Sequence, residues 1–437
     1  MTSTDPALGS RLYALVEELY PICRSITGNG VRETLRILGR YVPLEVREVP
    51  SGTAVLDWTV PREWNVRDAW IKNERGEKVV DFRAHNLHLV NYSSPVQARL
   101  TLEELRPHLH SLPDRPDSIP YRTSYYDESW GFCLSDRALK ALEPGNYEVL
   151  VDSTLEPGSL TYAELVLPGR LEDEILISTH VCHPSLADDN LSGIAVAVEL
   201  AQRLSALPER RHTFRFVFAP GTIGAITWLA QNRERAHHIK HGLTLTCLGD
   251  SQKFTYKRTV GGNARIDRAA ALVLATSGLE QQLIDFFPYG YDERQYNSPG
   301  FRLAVGSLMR GRHGQFPEYH TSADNLGFVS GERLAESFGI CSAIVDVLEG
   351  DRKYQNLAPY GEPQLGSRGL YRALGGTSIP NLNLAMLWVL NLSDGEHGLL
   401  DIAERAHMDF SVIQKAAELL REHGLLVELD ASVLKND

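Results

Sequence analysis

Two histidines and two aspartates fall close together in the segment ISTHVCHPSLADDNLSG, residues 177–193. Imidazole and carboxylate are the usual zinc donors outside thiolate sites. His180, His183 and Asp188 are therefore candidate ligands. A strand turns alternate side chains to opposite faces, so if the strand runs on past His180 only one of the two histidines points into a site. The same segment also suits a core histidine followed by a helix cap from Asp189 or Asn190. A second group stands in FPEYHTSADNL, residues 316–326, where Tyr319 and His320 precede a polar turn. A third is Asp250, which closes TCLGD at a strand's carboxyl end and is placed to ligate or to orient.

ADDNLSG and YHTSADN resemble two motifs of the co-catalytic zinc aminopeptidase superfamily. More closely, YPICRSITGNGVRETL, VPREWNVRDAWI, CHPSLADDNLSG, DERQYNSPGF, VGSLMR and FPEYHTSADNL are similar to the bacterial DUF4910 family, which carries a β-rich insert, DUF2172, and a C-terminal winged helix. These segments span nearly the whole chain. The resemblance implies a zinc-peptidase-like domain acting on an amide in a peptide or a small amino-acid conjugate. It implies Asp188 as bridging carboxylate and His320 as the distant ligand. It also implies His183 as the steadier ligand position, with His180 the alternative.

One departure matters. The family carries P-E-T-I-G after the strand that follows the loop, and its first glutamate takes a proton from the zinc-held water. This chain reads APGTIG, with Gly221 and Thr222 at the two positions. Loss of a general base costs ~100- to 10,000-fold in rate. Glu293 and Glu318 are candidate substitutes, and Gly221→Glu is expected to restore hydrolysis. The simplest site is then one zinc on His183, Asp188 and His320, with Asp250 available for a second. A catalytically weakened zinc-binding relative is the competing reading. Arg24, Arg294 and Arg310, with Tyr319, are candidate substrate contacts, because a guanidinium suits bidentate carboxylate recognition. Each arginine by itself suits a structural ion pair better.

The elements that would position these groups alternate between strand and helix over 136–350. EILISTHV and TFRFVFAP read as buried strands, LSGIAVAVELAQRLSAL and GAITWLAQNRE as helices, which gives βαβ units and a mainly parallel sheet. Ligands in such sheets sit at the strands' carboxyl ends. Residues 50–135 lose helical period, gather four of the six tryptophans, and read as an inserted β module. The main domain is expected over 1–49 and 136–365. Residues 375–437 read as three helices and a strand, a winged helix.

That last module holds Arg405, Lys415, Arg421 and Lys435 against ten acidic residues over 381–437. DNA affinity depends on neutralising phosphates, so a protein–protein or dimerisation role is favoured over a transcriptional regulator's. The whole chain has a formal net charge of -12, which again disfavours nucleic acid and anionic membrane. The N-terminus shows no secretory signal and no stretch reaches the ~20 apolar residues of a membrane span. Five scattered cysteines without CxxC argue against a disulfide framework or a thiolate zinc finger, and Cys182 alone sits among the candidate ligands. The expectation is a cytoplasmic homo-oligomer taking a small-molecule or peptide substrate.

Overall fold

The computed structural model describes residues 6–370 and 381–429. The chain forms two compact units that interleave in sequence. One runs to Gly262 and resumes over Gln282–Gly339; the other combines Asn263–Gln281 with the chain from Ile340 onward.

The first unit is built on an eight-stranded sheet. In chain order its strands are β1 (Glu45–Pro50), β2 (Ser159–Leu167), β3 (Glu174–His180), β4 (Thr213–Ala219), β5 (Ile239–Leu245), β6 (Phe254–Lys257), β7 (Gln281–Ile284) and β8 (Val305–Met309), and their spatial order is β1-β2-β4-β3-β5-β8-β6-β7. The four central strands, β4, β3, β5 and β8, run parallel. β1, β2 and β6 join antiparallel, so the sheet is mixed and its parallel part is confined to the centre. The fold class is the α/β architecture read from the sequence. The central strands are aliphatic, aromatic and β-branched because both their faces are covered; every residue of β3 is buried.

Two helices follow the two strands that carry the site. α1 (Gly193–Ser205) leaves the loop after β3, and α2 (Ile223–Gln231) leaves β4. Gly193 opens α1 because a Cβ there would lie 2.4 Å from Asn190 Oδ1 and 2.5 Å from the Leu245 carbonyl oxygen.

A separate antiparallel sheet pairs Lys78–Asp81, Glu63–Lys72, Asn146–Glu156 and Val96–Thr101 in that order. These strands are not members of the main sheet. The third, Asn146–Glu156, comes from beyond residue 135, because its alternating NYEVLVDSTLE needs a partner for its apolar face. Tyr147, Val149 and Val151 share one hydrophobic cluster with Leu176 of β3 and Trp228 of α2. The β-rich segment therefore packs into the first unit's core.

In the second unit, Lys353–Asn356, Asp394–Gly398 and Leu426–Glu428 form a three-stranded sheet beside helices Asn381–Leu392, Leu399–Ala406 and Phe410–Glu422. The expected start at 375 lies outside the described residues. Its first strand comes from further upstream. Helix Arg265–Thr276 also belongs to this unit. Arg268 bonds Asp401 at 2.6 Å and pairs with Glu404, while Arg265 reaches Asp351 at 3.0 Å and Asp401 at 3.3 Å.

One buried charge holds the centre of the main sheet. Arg215 of β4 is 4% exposed and donates from Nε and Nη2 to Glu174 at 2.6 and 2.8 Å, and from Nη1 to Glu164 at 2.7 Å. Glu174 has one further contact, Arg235 at 3.6 Å. Arg215→Met would strand two buried carboxylates and is expected to cost ~3–5 kcal/mol. Urea unfolding measures it, and a loss below ~1 kcal/mol would contradict the assignment.

Candidate functional site

β3 delivers His180 as its last residue, and the chain then leaves the sheet. Both histidines face the same place, because Val181–His183 no longer follow the strand's alternation. The chain turns sharply through Ala187–Ser192, where Asp189 (φ -105°, ψ 81°) and Asn190 (φ -144°, ψ 36°) are non-helical. That kink aims the Asp189 carboxylate at the histidines. His180 Nε2 lies 2.8 Å from Asp189 Oδ1. His183 Nδ1 lies 3.4 Å from Oδ2 and 3.0 Å from the Asp189 carbonyl oxygen. His320 Nε2, from the far loop, lies 3.0 Å from Oδ2.

Asp188, expected as the bridging carboxylate, points elsewhere. Its Oδ1 accepts from the Gly249 amide at 2.7 Å. Burial, with Asp250 and Asp324 nearby, pushes its carboxyl well above the usual range. Its Oδ2 is buried without a hydrogen-bond partner. Asp250 has both carboxylate oxygens on backbone: it accepts from Gln252 N at 2.6 Å and Gly311 N at 3.0 Å. Neither carboxylate is among the groups drawn round Asp189.

Asp324 holds the turn. Its Oδ1 accepts from Asp188 N at 2.6 Å and its Oδ2 from Asp189 N at 3.0 Å, while its carbonyl takes Ala187 N at 3.2 Å. Burial raises its pKa to about 7 against those amides. The sequence signal for it was the final aspartate of YHTSAD, four residues after His320.

The electrostatics centre on Asp189, which is fully buried. Burial opposes its charge, yet His183 first, and then the nearby His180 and His320 nitrogens, hold its carboxyl well below the usual range. Burial lowers His180 to about 4 despite Asp189. His183 is pulled down by burial but pushed well above the ordinary imidazole value by Asp189 and Cys182. Asp189 Oδ2 and His320 Nε2 are buried and neither has a hydrogen-bond partner, although they face each other. A lone-pair nitrogen and a carboxylate oxygen left that way are a donor set for a cation, and His180, Asp189 and His320 are of zinc-ligand types. Among the described residues two groups share Asp189, each with ligand atoms within 4.8 Å of one another: His180, His183 and Asp189, and Asp189, Cys247 and His313.

The base position is occupied by another residue. A Cβ on Gly221 would fall 2.1 Å from Tyr291 Cε1 and 2.1 Å from its Oη. Tyr291 stacks on His180 at 3.7 Å, and its hydroxyl lies 3.2 Å from both Cys182 Sγ and His183 Nε2. Thr222 takes φ 60° and donates its amide to Asp292 at 2.7 Å. Non-glycine residues at positive φ gather here, with Ser185, Thr222, Cys247 and His320 among them, as strained backbone does at functional sites.

The remaining candidates divide. Glu293 is paired with Lys257 and accepts from Tyr291 N. The Glu318 carbonyl accepts from Thr321 N and Oγ1 at 3.1 and 2.8 Å. Tyr319 stacks on His320 at 4.0 Å. Arg24 is buried and bonds main-chain oxygens, with Nε on His183 O at 2.8 Å and Nη1 on Leu19 O at 2.7 Å. Arg310 bonds Glu336, Ser337 and Gln252 O, and lies over Phe254 at 4.0 Å. The Arg310 guanidinium is taken up within the chain, whereas Arg24 keeps a buried Nη2 without a hydrogen-bond partner. Arg294 is half-buried beside Asp292. The insert adds Tyr121, absent from the sequence reading, whose ring meets His183 at 5.1 Å and His320 at 5.0 Å edge-on. Its amide donates to His320 O at 2.8 Å.

The model of a domain of unknown function, DUF4910, matches residues 13–351, and a winged helix-turn-helix model matches residues 352–428. The chain belongs to the DUF4910 family. A Clostridium acetobutylicum protein provisionally named a polysaccharide biosynthesis protein with an aminopeptidase-like domain is 51% identical over 419 residues, 96% of each chain. The crystal structure of a provisionally assigned peptidase from Clostridium acetobutylicum matches this DUF4910 chain with TM-score 0.92 at 50% identity, over 96% of both. A zinc aminopeptidase from Bacillus subtilis shares the fold, with TM-score 0.57 at 12% identity over 78% of this chain and 95% of its own. Among the described residues no helix is long and apolar enough to cross a membrane.

Asp324→Asn would set a donor against an amide N–H while keeping the shape. It is expected to weaken zinc binding ~10- to 100-fold, as loss of a ligand's supporting partner does. Asp189→Asn is expected to weaken it more than Asp188→Asn. Competition with a chelator measures all three, and equal effects at 188 and 189 would contradict the assignment of Asp189.

Proposed function

We propose that this DUF4910 chain carries a metal-assisted, aminopeptidase-like site for an amide in a peptide or a small amino-acid conjugate. The observation that supports it most is the fully buried Asp189 carboxylate ringed by three histidines. Zinc would be held by His180, Asp189 and His320, and when bound it would polarise a carbonyl and lower the pKa of water. Around it, Tyr121, Tyr291 and Tyr319 present aromatic walls that orient a ligand and exclude bulk water. Asp324 and Asn190 fix the turn that aims Asp189.

The relative's name points to polysaccharide assembly. A conjugate in which an amino acid or acyl group is amide-linked to a sugar joins that role to this site. A second reading, a ligand-binding relative without turnover, is favoured by one observation, the glycine at 221. The two separate on a direct measurement: zinc content, with hydrolysis of aminoacyl amides and N-acyl amino sugars by zinc-loaded protein. Zinc uptake without turnover of either class supports the second reading; no zinc uptake sinks both.

The expected gain from Gly221→Glu does not survive Tyr291. A side chain there has no room, so the single variant is expected to give less than ~10-fold improvement, and overpacking to cost ~1–3 kcal/mol. Gly221→Glu combined with Tyr291→Ala opens the space and is expected to exceed Gly221→Glu alone by ~10-fold or more in aminoacyl-amide turnover. A single variant that matches the double would show that the tyrosine does not block the position.

The winged helix is proposed to serve protein contacts. Its exposed Ser411, Lys415, Glu418, Arg421 and Glu422 on helix Phe410–Glu422 present mixed, not cationic, charge. The whole chain is expected to show no sub-micromolar, salt-sensitive complex with duplex DNA, measured by fluorescence anisotropy.

A further inference from the structure

The aromatic wall of the site continues outward through one short segment of the insert. Tyr121, edge-on to His183 and His320, begins it, and Tyr126 ends it. The Tyr121 and Tyr125 hydroxyls bond each other at 2.7 Å. Tyr125 stands edge-on to Tyr92 at 5.6 Å, and Tyr92 stacks on Trp64 at 5.8 Å. Trp64 and Tyr92 are buried and tied to main chain: the indole donates to Ser93 O and the Tyr92 hydroxyl to Arg62 O, both at 2.9 Å. The segment therefore rests on a fixed base. At Tyr125 the backbone takes φ 26°, and the next side chain, Tyr126, emerges into solvent.

In solvent the Tyr126 ring meets Trp58 at 5.6 Å, tilted by 59°. Trp58 follows the two-residue turn of the hairpin Ala54–Val55/Trp58–Thr59, where Leu56 takes φ 56° at a position that favours glycine. Leu56, Trp58 and Tyr126 are 48%, 40% and 52% exposed. Strained backbone beside two large exposed rings adds nothing to a core, and such strain gathers where ligands bind.

The size and the fringe of this patch decide what it fits. Aromatic side chains offer ~150–250 Å² each, so the exposed parts of these three residues total roughly 300 Å². A stable protein interface needs about 800 Å² per partner. The fringe is charged: Arg62 pairs with Glu128 at 3.0 Å, and Asp57 and Asp127, next in sequence to the two rings, are exposed. Carboxylates outnumber the guanidinium, which disfavours phosphates and nucleic acid. Two tilted rings edged by such groups suit a pyranose. Its C–H face packs on an aromatic ring, while its hydroxyls donate to carboxylates and accept from arginine.

We propose that Trp58 and Tyr126 form an outer saccharide subsite, which holds the sugar part of a conjugate while its amide reaches the histidines. Five residue steps separate Tyr121 from Tyr126, at most ~18 Å of chain, so a short oligosaccharide spans the two. Saccharide binding here needs no metal; its link to hydrolysis rests on the amide-hydrolase reading of the histidine site.

The test uses the full chain, with and without added zinc, and three hexasaccharides: of glucose, of mannose and of N-acetylglucosamine. Affinity is measured by calorimetry and by the change in tryptophan fluorescence. Wild type is expected to bind at least one of the three, equally with and without zinc. Trp58→Ala and Tyr126→Ala are each expected to weaken that binding about 10-fold or more, and Trp58→Phe, which keeps a ring, to retain most of it. Because both side chains are half in solvent, the variants are expected to unfold at the wild-type temperature. No binding of any of the three by wild type overturns the subsite, as does binding that both alanine variants leave unchanged. Sedimentation showing wild-type dimers that Trp58→Ala dissolves would make the patch a protein interface and overturn the subsite as well. Saccharide binding by a chain that takes up no zinc leaves the subsite standing and sinks the hydrolase reading. Zinc uptake without saccharide binding does the reverse.

Discussion

A single carboxylate buried among imidazoles sets the terms for the rest of the molecule. An isolated charge at the depth of Asp189 is costly, and it persists only where partners surround it. Each partner comes from a different part of the chain: His180 from a strand end, His183 from the loop after it, His320 from a loop well over a hundred residues on. The supporting structure follows from keeping those three in register. The parallel centre of the sheet ends where the histidines begin, Asp324 ties down the amides of the turn, and Asn190 bonds Thr179 at 2.7 Å across its base. The β-rich insert takes part too, since the Tyr121 amide holds the backbone that carries His320.

The glycine at 221 and the tyrosine at 291 are two halves of one packing decision. Interiors are close-packed, so a side chain cannot be removed beside a pocket without something entering the space. Here the entrant is aromatic, lies flat against His180, and brings a hydroxyl to the point where a carboxylate is missing. An acceptor that ionises readily has been exchanged for a phenol that burial holds in its protonated form. The proton chemistry open to the site is altered by that exchange.

Much of the architecture was legible because its signals are local. Alternation and apolar runs marked β3, β4 and the helices after them, and the motif spacing marked both histidine-bearing loops. What was illegible depended on contacts distant in sequence. Asp188 and Asp189 are neighbours of one residue type, and only the kink at Asp189 and Asn190 decides which one faces inward. The prediction that one of His180 and His183 points away assumed a strand that in fact ends at His180. Tyr291 was unreadable as a site residue because its role exists only opposite a glycine seventy positions earlier. Arg24 and Arg310 carried a suggestive residue type, but the carbonyls and carboxylate that claim them lie elsewhere in the chain.

Helix Arg265–Thr276 has an implication for how the chain is made. It is encoded between strands of the main sheet, yet its ionic partners Asp351, Asp401 and Glu404 lie far downstream. During synthesis the helix emerges long before those partners, and its arginines must wait for the C-terminal segment. Neither unit can be cut away at one point in the chain: a break before residue 340 separates the winged helix from this helix, and a break before 263 takes strands from the sheet. The winged helix is therefore not a module appended by simple fusion. Its ion pairs reach a helix encoded between strands of the first unit's sheet, so loss of the C-terminal segment alone would strip Arg265 and Arg268 of those carboxylates.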